Sequence, residues 1–288
     1  MHTETHIVPP QEKRIRLQEY GVGIFNVVAT KSALKKALKN KQIRVNETPA
    51  TTATWISGGE CIELRLPKEN RKNTRLVFPL KTLYEDAYLA VVHKPAGILV
   101  SGNSFKTIAK ALPQNLEPSP LEDACIPQPV HRLDFATTGA LLVGKTRNSI
   151  RLLNKLFETK QVTKIYYAVT IGQMSPSGTI NTPVDEKPAI TTYRVCDTLA
   201  SARFGQLNLL ELKPLTGRRH QLRKHLASIK HPILGDRDYC PPELLLKGKG
   251  MYLHAYSLSF KHPFTEAELT IQDELPKGFT KLFKKSDT

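Results

Sequence analysis

Short apolar runs bounded by turn residues predict buried strands in the larger, second part of the chain. Residues 88–92 and 140–143 are rich in β-branched or aliphatic side chains. Helical spacing of apolar residues instead marks 147–158, which follows the possible cap Thr146. Many strands, few helices and no strict alternation predict an α+β fold with a mixed, mainly antiparallel sheet and flanking helices. The remaining strands are predicted near 164–171, 191–196, 206–212, 251–260 and 266–271.

A smaller domain is predicted before this sheet, at residues 15–66. Residues 1–13 are polar and contain a Pro-Pro pair, so we expect a loose arm there. Residues 67–75 are charged and lack large apolar groups, which is typical of a linker. The second domain is therefore predicted to cover 76–275.

One basic helix dominates the smaller domain. Thr30 can cap a helix over 31–40, and strands are predicted at 43–46 and, after a turn, within 55–64. Apolar residues form one stripe of this helix, and lysines face outward on the other side. An ordinary solvated lysine face and an RNA-binding face both fit this pattern. The lysines are Lys31, Lys35, Lys36 and Lys39.

The charge balance changes the picture, because 42 Lys and Arg against 26 Asp and Glu leave a formal charge of +16. Such a chain favours a polyanion, and nucleic acid is the expected partner. No apolar run approaches the roughly 20 residues of a spanning helix, and residues 1–10 have no apolar signal core. Four well-separated cysteines without a CxxC pair give no zinc motif and fit a reducing compartment. We expect a cytoplasmic protein without a metal, a redox cofactor or a membrane partner.

The candidate chemistry centres on Asp134, the one acid in the stretch His-Arg-Leu-Asp-Phe-Ala-Thr-Thr-Gly at 131–139. The stretch leads into the buried run 140–143, so Asp134 should lie in a loop that a rigid sheet supports. An aspartate in such a loop is either a turn cap or a reacting group.

Four motifs, in order along the chain, favour the reacting group. The stretch 131–139 resembles the HRLDxxTSG signature of the RluA-type pseudouridine synthases, with Thr138 where Ser is usual. Residues 164–168 are similar to the K-x-Y-x-A strand of that family, and 216–227 to its TGRxHQ(I/L)RxHLA motif. Residues 231–236 are similar to its HP(I/L)xGD turn. This resemblance, from about 84 to 260, implies an enzyme that isomerises uridine in RNA on a sheet with flanking helices.

The smaller domain also resembles a known module. Its basic helix, the strand at 43–46 and the Gly-Glu-Cys-Ile-Glu-Leu stretch at 59–64 are similar to the S4-like RNA-binding module that often precedes such a catalytic domain. The resemblance departs from the pattern at Ala33, Lys41 and Glu47, where Arg, Gly and Gly are common.

The resemblance implies roles for three residues. Isomerisation needs an ionised nucleophile or base beside the sugar, and Asp134 occupies that motif position. It attacks C1′, adds to C6 of the base or removes a ribose proton. A cation within about 4 to 6 Å should keep it ionised, and Arg223, which can fork two carboxylate oxygens, is the candidate. Tyr166 is expected to stack on the extruded base and to move a proton at C5. The alternatives are a phosphate contact for Arg223 and a packed ring for Tyr166.

Other residues are expected to hold the RNA. Arg132 should fill the gap that the flipped nucleotide leaves or hold its backbone. A basic run at a probable helix start suits phosphate, through Arg218, Arg219 and Lys224, with Thr216 and Lys230 beside them. His93 is interpreted as a substituted turn residue. Structural hydrogen bonds or RNA contacts are expected of His131, His220 and His225.

We therefore expect a monomeric RNA pseudouridine synthase that acts on structured RNA, with ribosomal large-subunit RNA favoured over tRNA. The alternative is a non-catalytic RNA-binding or ribosome-assembly protein that retains the fold. Release of tritium from C5 of uridine in RNA discriminates the two, because only isomerisation releases it.

Overall fold

The chain forms two compact units, residues 1–75 and residues 76–288. The computed structural model describes residues 2–25, 28, 30–66 and 76–283. The expected linker at 67–75 lies outside the described residues. In the part of the chain that is described, no helix has the length and apolar character needed to cross a membrane.

The N-terminal unit contains a small sheet and two helices. Four strands form a sheet in the order β1-β6-β3-β4, and β2 pairs with β5 in a separate ribbon. Thr30 caps the helix α2, since its Oγ1 accepts the Ala33 backbone N–H at 3.2 Å. The apolar side of α2 packs Leu34 and Leu38 into the core. The elements are β1 (His2–Ile7), β2 (Ile15–Arg16), α1 (Leu17–Tyr20), α2 (Lys31–Lys39), β3 (Ile43–Val45), β4 (Thr48–Pro49), β5 (Trp55–Ile56) and β6 (Cys61–Leu66).

The prediction of a loose arm at residues 1–13 is wrong for its first half. Strand β1 pairs antiparallel with β6, with His6 opposite Ile62. Its side chains are mostly polar, so the apolar pattern gives no signal. The pairing uses backbone groups, and the buried Val8 anchors the end of the strand in the core.

The second unit is built on a ten-stranded sheet. Its main order is β12-β13-β14-β11-β15-β10-β8-β7, with β16 paired to β15 and β9 paired to β10. The pairings are antiparallel except for the parallel pair β10 and β15. The predicted α+β class with a mixed, mainly antiparallel sheet is confirmed.

The strands of this unit include three that the apolar pattern did not reveal, namely β7, β9 and β12. The strands are β7 (Thr82–Glu85), β8 (Leu89–Lys94), β9 (Ala124–Pro129), β10 (Thr138–Thr146), β11 (Thr163–Ile171), β12 (Ser177–Ile180), β13 (Thr191–Ser201), β14 (Gly205–Pro214), β15 (Leu253–Lys261) and β16 (Glu268–Gln272). The helices are α3 (Ile108–Ala111), α4 (Arg147–Glu158), α5 (Gln221–Ser228) and α6 (Lys277–Phe283), with 3₁₀ turns at Leu112–Gln114 and Pro242–Leu244.

The interpretation of His93 as a turn residue is wrong, because His93 lies within β8. Its ring hydrogen-bonds through Nδ1 to the buried carboxylate of Asp273, which follows β16. That long-range partner, rather than a local turn, accounts for a polar residue at the end of an apolar strand.

Candidate active site

The loop that carries Asp134 leads directly into β10 in the interior of the sheet. Gly139, near the start of β10, has a φ of 118°, and a Cβ there would lie 2.2 Å from the Ala255 carbonyl oxygen. Only glycine allows this approach of β10 to β15. The loop therefore begins at a fixed point in the core.

A buried lysine clamps the same loop from the other side. Lys94 is fully buried, and its Nζ donates to the carbonyl oxygens of Thr137 at 2.7 Å and Phe135 at 3.2 Å. The Gly97 N–H donates to the Phe135 carbonyl as well, at 2.8 Å. Burial lowers the pKa of Lys94 to about 8, although the nearby charge of Asp134 acts to raise it. These bonds fix the backbone carbonyls of Phe135 and Thr137, directly after Asp134 in the loop.

The carboxylate of Asp134 faces two groups from the segment around the start of α5. Arg223 Nη1 lies 3.7 Å from Oδ2, and His220 Nε2 lies 3.8 Å from Oδ1. The pKa of His220 is lowered, chiefly by burial, although the charge of Asp134 acts to raise it. Arg223 is therefore the permanent positive charge beside the carboxylate.

Arg223 does not fork the oxygens of Asp134, as the sequence led us to expect. Its Nε and Nη2 bind the two oxygens of the buried Asp236 at 2.7 and 2.6 Å, and Nη2 also binds Asp238. The Tyr239 ring lies 4.9 Å from the guanidinium carbon. Burial acts to lower the pKa of Arg223, but hydrogen bonds to Asp236 and Asp238 outweigh it and raise the pKa above the usual value. These partners leave Nη1 for Asp134.

Asp134 and Arg223 lie in the wall of a cleft of about 720 Å³. Its wall includes Tyr166, whose pKa is raised by burial and by the charge of Asp134. One other carboxylate, that of Glu158, lines the cleft. The cationic lining is larger and consists of Arg132, Lys160, Lys164, Lys213, Arg218, Arg219 and Arg223. The cleft therefore offers a carboxylate on a fixed loop, the half-buried ring of Tyr166 and a positive wall that suits a polyanion.

Known proteins resemble the chain over most of its length. The family model described as RNA pseudouridylate synthase matches residues 88–228. Ribosomal large subunit pseudouridine synthase D of Vibrio cholerae is 31% identical, over 88% of this chain and 86% of that protein. This chain belongs to the RNA pseudouridylate synthase family. It is an RNA pseudouridine synthase, an isomerase that acts on RNA.

Two further relatives of this pseudouridine synthase support the assignment. Ribosomal large subunit pseudouridine synthase C of Rickettsia felis is 31% identical, over 93% of this chain and 95% of that protein. The solved structure of human RNA pseudouridylate synthase domain containing 4 is 28% identical, over 69% of this chain and 90% of that chain, with a TM-score of 0.56.

The synthase cleft gathers most of the residues that the sequence singled out in the second unit. Asp134, Tyr166 and Arg223 lie in its wall, and so do Arg132, Arg218 and Arg219. Lys224 is not among the lining residues, and its Nζ pairs with Asp185. The four lysines of α2 belong to the other unit, where Lys31 pairs with Glu19 at 2.7 Å. The other three lysines, Lys35, Lys36 and Lys39, form no ion pair within the described residues.

The sequence analysis did not place some residues beside the carboxylate or in the cleft. His220 has a positive φ of 55° at the start of α5, and its ring contacts the hydroxyl of Tyr239. The sequence predicted a structural hydrogen bond or an RNA contact for His220, but not its position near Asp134. Lys164 also lines the cleft, and burial lowers its pKa. It lies inside a quoted motif, but the sequence assigned it no role. Lys94 ends a strand in which it is the one lysine, and that position was the available signal.

Two other histidines of the synthase make structural hydrogen bonds. His131 Nε2 accepts the Leu142 N–H at 2.9 Å, and burial lowers the His131 pKa to about 3. His225 bonds Thr191 and the Thr182 carbonyl. No group of three or more metal-ligating side chains occurs within the residues that the structure describes.

Proposed function

We propose that this synthase isomerises specific uridines in structured RNA of the large ribosomal subunit, with Asp134 as the catalytic carboxylate. The placement of Asp134 supports the proposal best. It is a carboxylate on a clamped loop, 3.7 Å from a guanidinium, at the wall of a basic cleft. The names of the bacterial relatives, which are ribosomal large subunit synthases, support the choice of RNA.

The reaction needs little beyond such a group. The bond between N1 and C1′ breaks, the base turns, and a bond forms between C5 and C1′. The proton on C5 leaves, and N1 takes one up, so no oxidant or reductant is required. Asp134 acts as the ionised carboxylate beside the sugar, and Arg223 stabilises its charge through Nη1.

Tyr166 is assigned to stacking on the base. Because burial and the charge of Asp134 raise the pKa of the phenol, Tyr166 stays protonated near neutral pH and is a poor proton acceptor. Its ring instead offers an apolar face within the cleft. Of the two roles that the resemblance implied for Tyr166, this assignment keeps stacking on the base and drops the movement of a proton at C5.

Arg132 is assigned to the gap left by the flipped nucleotide, because its exposed side chain lies two residues from Asp134 at the cleft. Arg218 and Arg219 are assigned to phosphates beside the cleft. The amide of Gln221 holds their loop, since its Oε1 accepts the Arg218 N–H at 3.0 Å and the Thr216 hydroxyl at 2.8 Å. Lys224 remains in the proposed set only if RNA displaces Asp185.

We assign residues 15–66 to an S4-like RNA-binding module and 76–275 to the catalytic domain. The division into units at residue 75 and the exposed lysines of α2 support this assignment. We further propose that the synthase works as a cytoplasmic monomer.

Tritium release tests the proposal. Large-subunit ribosomal RNA and tRNA are prepared with uridine tritiated at C5, and both lack modification. We expect release from the ribosomal RNA, and Asp134→Asn should lower the single-turnover rate by at least about 10⁴-fold while RNA still binds. Asp197→Asn, a matched change at an exposed strand position, should leave the rate unchanged.

Two outcomes would contradict parts of the proposal. Turnover of Asp134→Asn at the wild-type rate would remove Asp134 as the catalytic carboxylate. Release from tRNA alone would show that the RNA is wrong, although the chemistry would stand.

A further inference from the structure

The ribbon of β2 and β5 in the N-terminal unit presents an aromatic ring beneath a cation. Arg16 and Trp55 are opposite each other in the antiparallel pair. The guanidinium carbon of Arg16 lies 4.7 Å from the centroid of the Trp55 ring. Trp55 is the only tryptophan of the chain, and 47% of its surface is exposed.

The exposure of Trp55 follows from the ribbon itself and not from poor packing. Side chains alternate along a strand, and the neighbouring Ile56 is fully buried. Leu17, directly after Arg16, is fully buried too. The ribbon thus fills the core with aliphatic residues and leaves its one aromatic ring exposed, beside the guanidinium of Arg16.

Arg16 and the two cations just before β2 in the sequence are unneutralised. Lys13, Arg14 and Arg16 are exposed, and within the described residues none of them has an ion pair or a side-chain hydrogen bond. Glu60, the acid nearest to Trp55 in sequence, accepts N–H groups of Ser57 and Gly58. Glu12 and Glu19 are also close to β2 in the sequence, and Glu19 pairs with Lys31 at 2.7 Å.

We propose that Trp55 and Arg16 form a stacking site for an unpaired RNA base, with Lys13 and Arg14 at the adjoining phosphates. The proposal rests on RNA as the ligand of the synthase, and adds a site outside both the cleft and the lysines of α2. An exposed aromatic ring beside free cations is the arrangement that binds single-stranded nucleic acid, because every base has a π-face. A duplex hides those faces, so the site selects unpaired nucleotides.

The single tryptophan makes the native protein its own probe. Emission of the full-length protein is followed during titration with oligouridylate of roughly ten nucleotides, and with the same strand annealed to oligoadenylate. We expect saturable quenching by the single strand and little change with the duplex. Free N-acetyltryptophanamide, titrated in parallel, corrects for absorption by the RNA.

Variants separate stacking from charge. Trp55→Ala should weaken binding of a labelled single strand about 10-fold and raise KM for ribosomal RNA with kcat unchanged. Its salt slope should stay as in the wild type. Arg14→Met should lower that slope by about 0.7, as loss of one phosphate contact does. Trp55→Phe keeps a ring and should restore most of the affinity, and Ile7→Ala removes another exposed apolar side chain and should change nothing.

Three results would overturn the stacking site. In the first, the tryptophan emission does not change although anisotropy shows that the single strand is bound. In the second, the duplex quenches the emission as much as the single strand does. In the third, Trp55→Ala binds the single strand with wild-type affinity. If tritium release persists in these cases, the proposed function stands and only this inference fails. A protein that neither binds RNA nor releases tritium would contradict the proposed function first.

Discussion

The buried cations of the catalytic unit and the exposed cations of the N-terminal unit are held in opposite ways. In the catalytic unit, Lys94 and Arg223 are buried, and each is bound to several oxygen atoms. In the N-terminal unit, most cations are exposed and have no carboxylate partner among the described residues. These exposed, unpartnered cations are Lys13, Arg14, Arg16, Lys35, Lys36, Lys39 and Lys41.

The difference separates two uses of charge. A buried, partnered cation is held in one geometry and is little screened by salt, so it can position a reacting group. An exposed, unpartnered cation has no fixed geometry and contributes by number, through release of counterions from RNA. We therefore expect substitutions in the two sets of cations to affect different observables, the rate of chemistry for the buried set and the salt-dependent affinity for the exposed set.

Of the two buried cations, Arg223 should show the larger effect on the rate. Arg223→Met removes the cation beside Asp134 and leaves the fully buried Asp236 carboxylate without its partner. We expect the single-turnover rate to fall roughly 10²- to 10³-fold, and stability to fall by about 3 to 5 kcal/mol. Arg223→Lys keeps a point charge but not the fork, and should retain part of the rate. Tritium release and thermal unfolding measure the two effects.

A double variant tells a catalytic role of Arg223 from a structural one. Arg223→Met combined with Asp236→Asn removes the unpaired buried charge, and the amide oxygen can still accept the N–H groups of Asp238 and Tyr239. We expect stability to recover while the rate stays low. Recovery of both would mean that Arg223 only supports the fold.

The Lys94 clamp should show a smaller effect on the rate and a distinct pH signature. Lys94→Met leaves the carbonyls of Phe135 and Thr137 without this donor, and we expect a loss of about 2 to 4 kcal/mol in stability and roughly 10-fold in rate. The folded pKa of about 8 lies below the ordinary 10.5. Between these values the unfolded chain binds more protons, so wild-type stability should rise with pH relative to the variant.

Lys110 provides the matched control, because its Nζ also donates to a carbonyl, that of Ser104, but the residue is exposed. Lys110→Met should change neither the rate nor the pH dependence of unfolding. If the difference between wild type and Lys94→Met stayed flat from pH 8 to 10.5, the buried ammonium would not titrate as inferred.

Helices and strands could be predicted from the sequence better than the interaction partners of individual side chains could. Helix α4 has the predicted bounds Arg147–Glu158, because its apolar spacing and the Thr146 cap agree. Strand β1 was missed, since a polar edge strand is held by backbone bonds that leave no apolar pattern. The motifs indicated Asp134 and Arg223. They did not indicate that Asp236 would take the guanidinium fork, although Asp236 was inside a quoted motif, because partner choice depends on how distant segments pack.

The lysines of α2 test the exposed set of cations, for which we expect the smallest effects of substitution. Glutamine at Lys35, Lys36 and Lys39 together should lower the slope of log affinity against log salt by about 2 to 3. The single-turnover rate on a short, saturating RNA should not change, because no residue of the cleft is altered. Filter binding of ribosomal RNA over a range of salt concentrations measures the slope.

Lys31 is the matched control on the same helix, because it already pairs with Glu19 at 2.7 Å. A lysine that is already paired with a carboxylate neutralises less phosphate charge and therefore releases fewer counterions from RNA. Lys31→Gln should thus change the salt slope less than Lys35→Gln does. An equal change in both single variants would show that the Glu19 pair opens on RNA binding. Lys31 would then belong with the other three lysines, as the sequence pattern alone predicted, and exposure would outweigh pairing in deciding which cations of this unit bind phosphate.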